Sequence, residues 1–461
     1  MQRYSFQRIG QTLFLTVLIA APLLYAITRH PTYENILQIL ILTVLLPIFL
    51  IDYELGFLAL IVLRPAMDTF SQIDFLNVGQ FSLNLSSVVG LLVIAWILFY
   101  LIRRQERVWK QPLFWPFFVF VIISVISLFY TPSLSATIRE VVRIASIFFI
   151  YLMAGAMVVN RKGAARFLKA IALSSIIPIT VALYQFFTQT GLSFAGLNNR
   201  VYGTLVHPNA FATYLLIIFI LGFGYFLSHR QEGIKKHGWL IIGLLLTIGL
   251  LILTYTRGAW ICFGIIVFIM GLKYYKKVLV ALFGLAVFLL LFGPTLNRFI
   301  FTNFDYDFSR NPVIQRLTEK NSDAESSIDW RFKVWTEMSR KIADRPYLGY
   351  GFGAFPVIRQ QFVKGMYEST EAHNDYLRLV IELGLVGILA YLVILGKLVY
   401  NIFQHLRAKL PATDKAWLYS GLSLIAAVLV MSISDNVLQG TANMWLFWAG
   451  MAVLQKLPTL K

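Results

Sequence analysis

The chain has 461 residues, 58% of them hydrophobic and only 13% charged, and its mean hydropathy is +0.71; this excludes a soluble globular domain and fits a protein that crosses a membrane many times. The formal net charge of +18 comes in short basic clusters between apolar runs, which is the positive-inside pattern and not a nucleic-acid-binding face. Its single cysteine, Cys262, lies within an apolar run, which excludes a disulfide framework and a cysteine-rich metal site.

In chain order, Arg3 and Arg8 precede an apolar run with no convincing small-residue cleavage site, which reads as an uncleaved first helix. Hydropathy places spans at residues 11–28, 35–51, 53–63, 85–102, 113–130, 139–158 and 164–187, then at 208–228, 239–254, 257–272, 276–293, 375–398, 416–434 and 441–455. The span at 53–63 is too short to cross about 30 Å of hydrocarbon at right angles. Counting residues 35–63 as two crossings nevertheless puts the N-terminus and the basic connections 103–110, 161–169, 230–236, 273–277 and 407–415 on one side, the cytoplasmic one. The expected fold is an all-α polytopic membrane helix bundle of about 12–14 spans with one large external loop containing amphipathic helices. Its expected divisions are an N-terminal transmembrane bundle (1–200), a transmembrane core with the Arg257 turn (201–293), an external catalytic loop (294–374) and C-terminal transmembrane helices (375–461).

The external segment is too long for a connection without structure of its own. Within it Ile328, Phe332, Trp335, Met338 and Ile342 recur at helical spacing, which predicts an amphipathic helix lying on the membrane. Arg345, Pro346 and the run Gly349, Gly351, Gly353 end that helix in a turn. With no strand before them, these glycines are a structural turn and not a nucleotide fingerprint.

Three residues carry candidate chemistry. His373 stands where this polar segment meets the next apolar run, with Asn374 or Asp375 placed to cap the helix. A helix N-terminus favours a bound anion and suits a neutral imidazole that can take a proton, so His373 reads either as a base beside a phosphate or as an interfacial histidine at a cap. Arg257, in the tight Thr256-Arg257-Gly258 turn between two spans, either snorkels to lipid headgroups or offers a phosphate two parallel hydrogen bonds. Arg200, in the loop before Pro208, is open to the same two readings, and Pro208 suits the first turn of a helix. Asp375, Arg378 and Glu382 share one helix face and can pair with one another, and Arg139 with Arg143 and Arg64 with Asp68 put further charge near span ends. No residue spacing calls for a metal ion and no Walker-type loop calls for a nucleotide.

His373-Asn374, then nine residues, then Gly384 and Gly387 resemble the His-Asn-x9-Gly-x2-Gly pattern of the O-antigen ligase and O-antigen polymerase superfamily. Thr256-Arg257-Gly258-Ala259, the Trp330-Arg331 helix and Pro346-Tyr347-Leu348-Gly349-Tyr350-Gly351 are similar to that superfamily in the same order, over roughly residues 200–400. The resemblance implies a GT-C-like membrane glycosyltransferase that needs no metal, nucleotide or other cofactor. Its donor would be a glycan on undecaprenyl diphosphate and its acceptor a hydroxyl of lipid A core or of a growing glycan. The site would face the outside of a bacterial inner membrane, among membrane lipid and without nucleic acid. Carried over by motif, His373 is the catalytic base and Arg257 a diphosphate clamp; Arg200 is the second clamp by position, and Asn374, Asp375, Arg331 and Arg378 are supporting residues. Ligase-type transfer is the first expectation and polysaccharide polymerisation the second. A polysaccharide flippase is the competing class, against which stand the His373 and Arg257 motifs and the lack of an internal repeat.

Overall fold

Seven helices among the described residues are long and apolar enough to cross a membrane: Leu85–Arg104, Leu134–Met157, Arg161–Thr188, Pro208–Glu232, Arg257–Tyr274, Asp375–Arg407 and Ala412–Ser434. The chain is therefore an all-α, multi-pass membrane protein. This computed structural model describes residues 52–71, 74–78, 81–194, 197–233, 237–277, 279–280, 329–362 and 371–460. The spans expected at 11–28 and 35–51, most of the one at 276–293, the loop from 294 to 328 with Ile328, and Arg3 and Arg8 lie outside the described residues.

Local sequence sets where the helices begin. Asp52 accepts hydrogen bonds from the Glu54 and Leu55 N–H groups at 2.9 and 3.0 Å, which starts the short apolar helix Tyr53–Leu63. Asn84 caps Leu85–Arg104 through Ser87 N–H at 3.0 Å, and Asn160 caps Arg161–Leu173 through Gly163 N–H at 2.8 Å. The span expected at 164–187 is the crossing Arg161–Thr188, made of the helical segments Arg161–Leu173 and Ile176–Thr188 that meet at Ser174 and Ser175. Both serine hydroxyls donate back to carbonyls three residues earlier, Ile171 and Ala172, where the two segments meet.

At the centre lies Thr441–Lys456, buried on every face from Thr441 to Gln455 and packed against Leu134–Met157, Pro208–His229 and Ala412–Ser434. Trp445 donates to Ser146 Oγ at 2.9 Å across that contact. Two short antiparallel hairpins, Asp74–Val78 with Phe81–Asn84 and Leu192–Phe194 with Leu197–Arg200, are the strands among the described residues, and the sequence reading did not expect them.

Asp375–Arg407 is broken at Gly384, whose φ of 63° and ψ of −165° are open to glycine and essentially to no other residue. The break exposes backbone groups that a continuous helix would satisfy internally, and the glycine run meets them. Tyr350 N–H donates to Ile381 O at 2.9 Å and Gly351 N–H to Glu382 O at 2.8 Å; in return Leu385 N–H donates to Pro346 O at 2.8 Å and Val386 N–H to Tyr347 O at 3.2 Å. Gly351, at φ 106°, fits because a Cβ there would stand 2.6 Å from the Thr131 Cβ. The Gly384 position and the Pro346–Gly351 segment are thus two halves of one interlock.

The helix after the undescribed loop runs Asp329–Arg340 and packs Val334 and Met338 onto Ala354, Phe355, Ile358 and Ala372, with Trp330 and Ile342 beside them. This corrects the expected register. Val334 and Met338 are buried, with Trp330 and Ile342 partly buried at steps of four on the same stripe; Trp335 also turns inward, donating Nε1–H to Ala372 O at 2.7 Å, while Phe332 is exposed. A spacing of four keeps side chains stacked on one face, and this face meets the protein's own segment before His373.

Candidate active site

One end of the bundle collects the helix termini that the sequence reading assigned to the outer side. The cavity of about 220 Å³ there is lined by Arg64 after the Tyr53–Leu63 helix, His207 before Pro208, His373 before Asp375, and Asp435 after Ser434. Asn374 is the N-cap of Asp375–Arg407, its Oδ1 accepting from Leu377 N–H at 3.0 Å. Asp375 does not cap. It is fully buried and its Oδ2 accepts from Ser432 Oγ at 2.8 Å and from Leu438 N–H at 3.1 Å. That carboxylate grips both sides of the turn that carries Asp435, and Gln439 adds a bond to Glu371 at 3.0 Å.

His373 has φ 46°, the left-handed region that a non-glycine residue rarely occupies. The turn aims its ring at Asp435, with Nδ1 3.4 Å from Asp435 Oδ1, and the Trp330 ring stands edge-on at 5.5 Å between centroids. Burial alone would raise the Asp435 carboxyl, but the His373 hydrogen bond and the nearby His373, His207 and Arg331 side chains hold it below the usual carboxylate range. An ionised carboxylate only accepts, so Nδ1 carries the ring proton and Nε2 keeps its lone pair. A base held in one tautomer by a carboxylate is an arrangement that can take a proton from a hydroxyl.

Arg331 extends the same cluster, donating to Ser434 O at 3.0 Å and lying over the Trp330 ring at 5.7 Å. Arg257 is the first residue of Arg257–Tyr274, with Thr256 as N-cap. A Cβ on Gly258 would lie 2.7 Å from Ser434 Oγ, so this helix start touches the turn that bears Asp435. Arg200 does not project from a loop as expected. It is 3% exposed, and its Nε donates to Thr254 O at 2.9 Å while NH2 donates to Asn209 Oδ1 at 3.2 Å. Its bonds therefore hold the turn from which Arg257 emerges. Neither Arg200 nor Arg257 lines the cavity beside His373.

Arg378 is buried beneath this layer and pairs with Glu140 at 2.7 Å and with Glu382 at 3.2 Å, while Arg143 also pairs with Glu140. Of the three residues expected to satisfy one another, Asp375 bonds instead to the Asp435 turn, because Glu140 from Leu134–Met157 reaches Arg378 first.

Sequence reasoning passed over Asp435, His207 and Glu140. His207 Nδ1 accepts the Asn209 N–H at 3.1 Å, and burial, against the pull of Asp435 and with the push of Arg200, His373 and Arg331, sets its imidazole down at about 4. Charge at the end of an apolar span marks Asp435 by the same logic that marked Arg257.

Residues 242–392 match a family model described as O-antigen ligase. The matched residues include Arg257, Arg331, His373, Asn374, Asp375, Arg378 and Gly384, while Arg200, His207 and Asp435 lie outside them. Over 225 residues the chain is 26% identical to the ComP-specific O-oligosaccharyltransferase of Acinetobacter baylyi, an alignment covering 46% of this chain and 37% of that relative. It is 22% identical over 298 residues to an uncharacterized protein of Haemophilus influenzae, covering 61% of this chain and 71% of that one. The chain thus spans well under half the length of the first relative.

Proposed function

We propose that this protein is a membrane glycosyltransferase that moves a glycan from undecaprenyl diphosphate to an acceptor hydroxyl, with the cavity end facing the periplasm or exterior of a bacterial inner membrane. The observation that carries this reading is the His373–Asp435 pair at a cavity beside the start of the Arg257 helix. The acceptor oxygen attacks the anomeric carbon and its proton passes to His373 Nε2. The bond from that carbon to the diphosphate oxygen breaks, and its electron pair leaves with the diphosphate. Asp435 stabilises the imidazolium, and Arg257 with the helix N-terminus meets the charge growing on the leaving group. Arg200 serves this clamp from beneath by fixing the 254–256 turn. Arg378 and Asp375 hold the base and its carboxylate in place through Glu140 and Ser432.

The orientation is supported by the basic last turns at the other ends of the helices, with Arg103 and Arg104, Lys273 and Arg407. Transfer of a finished glycan to lipid A core or a comparable acceptor is favoured over polymerisation, since the matched family is described as O-antigen ligase and the Acinetobacter relative is named an oligosaccharyltransferase. The test is transfer by purified protein from undecaprenyl-diphosphate glycan to an acceptor, without nucleotide and with a chelator present. Product carrying one donor glycan supports ligation; a ladder of repeats would replace it with polymerisation, and dependence on ATP or a divalent metal would contradict the reading.

A further inference from the structure

The basic end of the bundle, away from the cavity, gathers charge where three helices meet. Pro208–His229, Arg257–Tyr274 and Ala412–Ser434 pack against one another, and at this end each contributes to a cluster of aromatic and cationic side chains. Arg230, just past the first helix, has its guanidinium 5.6 Å from the centre of the Tyr274 ring, and Lys273 Nζ lies 5.2 Å from the centre of the Tyr419 ring. The two rings meet edge to face at 6.0 Å. Lys415 stands one turn before Tyr419 on the same helix face, and exposed Lys276 and Lys277 follow Tyr275. The acidic side chains of these helix ends, among the described residues, are Glu232 and Asp414. Asp414 is buried and holds Arg161 by two hydrogen bonds of 2.8 Å, which leaves Glu232 against Arg230, Lys273, Lys276, Lys277 and Lys415.

A positive-inside bias alone puts cations at a span end and leaves them loose in water. Here an aromatic ring takes the flat face of the guanidinium and one side of the ammonium, which fixes both groups and leaves their remaining N–H groups to donate. Exposed cations fixed side by side on different helices suit an anion with several acceptor oxygens, such as a phosphodiester. Along the helix that ends in Lys273, Ile261, Phe268 and Leu272 are all exposed at spacings of seven and four, an apolar stripe leading up to the cationic cluster. Apolar stripe and cations together match the acyl chain and headgroup of a phospholipid, where a free phosphate would use the cations alone.

We propose that Arg230, Lys273 and Lys415 bind the headgroup of an anionic phospholipid in the leaflet at this end, and that this lipid clips together the three helices whose opposite ends carry His207, Arg257 and Asp435. The test is native mass spectrometry of the full-length protein with phosphatidylglycerol or phosphatidylcholine, together with thermal unfolding in nanodiscs of each lipid. Wild type is expected to retain phosphatidylglycerol about tenfold better than phosphatidylcholine and to unfold at a higher temperature in it. Both Arg230→Gln and Lys273→Gln, at exposed positions, should lose about fivefold of that preference and part of the thermal gain. Tyr419→Leu keeps every charge but removes the ring under Lys273, so it should weaken the preference, and Tyr419→Phe should restore it. Arg103→Gln combined with Arg104→Gln, at the basic end of another span, should leave the preference unchanged. Equal retention of the two lipids would overturn the proposal. So would an equal loss in the Arg103 and Arg104 control or full preference in Tyr419→Leu, since either would reduce the cluster to general surface attraction. A thermal gain reproduced by inorganic phosphate in phosphatidylcholine nanodiscs would overturn it in favour of a free anion.

Discussion

In the proposed reaction Asp435 sets the tautomer of His373, since a carboxylate facing Nδ1 leaves the proton-accepting lone pair on Nε2, and the left-handed backbone at His373 aims the ring at it. Arg257 has a different proposed task, to hold a diphosphate by two parallel hydrogen bonds. Arg257→Lys keeps the charge and loses the fork, so donor KM should rise about tenfold or more with little change in folded yield; wild-type kinetics would return Arg257 to lipid anchoring. His207 sets a pH dependence. Its folded value of about 4 lies below the ordinary 6.5. Between the two, the unfolded chain binds a proton that the folded one refuses, so its contribution to stability is whole above about 6.5 and lost as pH falls to about 4. His207→Asn should flatten that part of the thermal midpoint profile in detergent, and an unchanged slope would assign it to another group; Asp435 acts in the same direction but at lower pH. His373 and Arg257 were readable because each begins a helix beside a short motif. Asp435 carried the weaker signal of a charge at a span end, and His207 and Glu140 had no local pattern; each acquires its meaning from partners far along the chain, as Glu140 meets Arg378 and Asp435 meets His373.

At the scale of elements, the broken helix explains the spacing between His373 and Gly384. Residues 374–383 carry the Asn374 cap and the buried Arg378; Gly384 then opens the backbone so that the Pro346–Gly351 segment can bond to both sides of the break. This fastens the Asp329–Arg340 helix, with Trp330 and Arg331, above the site. Gly384→Ala puts a Cβ against the Tyr347 carbonyl and forces a backbone conformation that alanine avoids. It should loosen the Pro346–Gly351 segment, seen as faster limited proteolysis between residues 340 and 362 in protein that still inserts in membranes; an unchanged cleavage pattern would contradict the interlock. Hydropathy could not reveal the break, because residues on both sides of Gly384 are apolar and no proline interrupts them. It missed the register of the Trp330 helix for a related reason: Phe332 and Trp335 also recur at helical spacing, and only packing chooses between two such stripes.

For the whole molecule, the long apolar helices were readable from hydropathy, including the crossing Arg161–Thr188, while its division at Ser174 and Ser175 was not. The topology predicts that a reporter fused after Gly233 is cytoplasmic and one after Ser322, outside the described residues, is external. A cytoplasmic Ser322 would place the loop before Trp330 on the wrong side of the membrane for this site. The central claim is that an imidazole at the mouth of a membrane bundle takes the acceptor proton while an arginine turn holds the departing diphosphate. Its most direct measurement is the rate of glycan transfer by His373→Ala against wild type, in purified protein with binding of the lipid-linked donor measured in parallel. A lost base predicts a rate lower by roughly 10²- to 10⁴-fold with donor binding retained; transfer at near the wild-type rate, with only a loss of stability, would contradict it and leave His373 as a residue that orders a helix start.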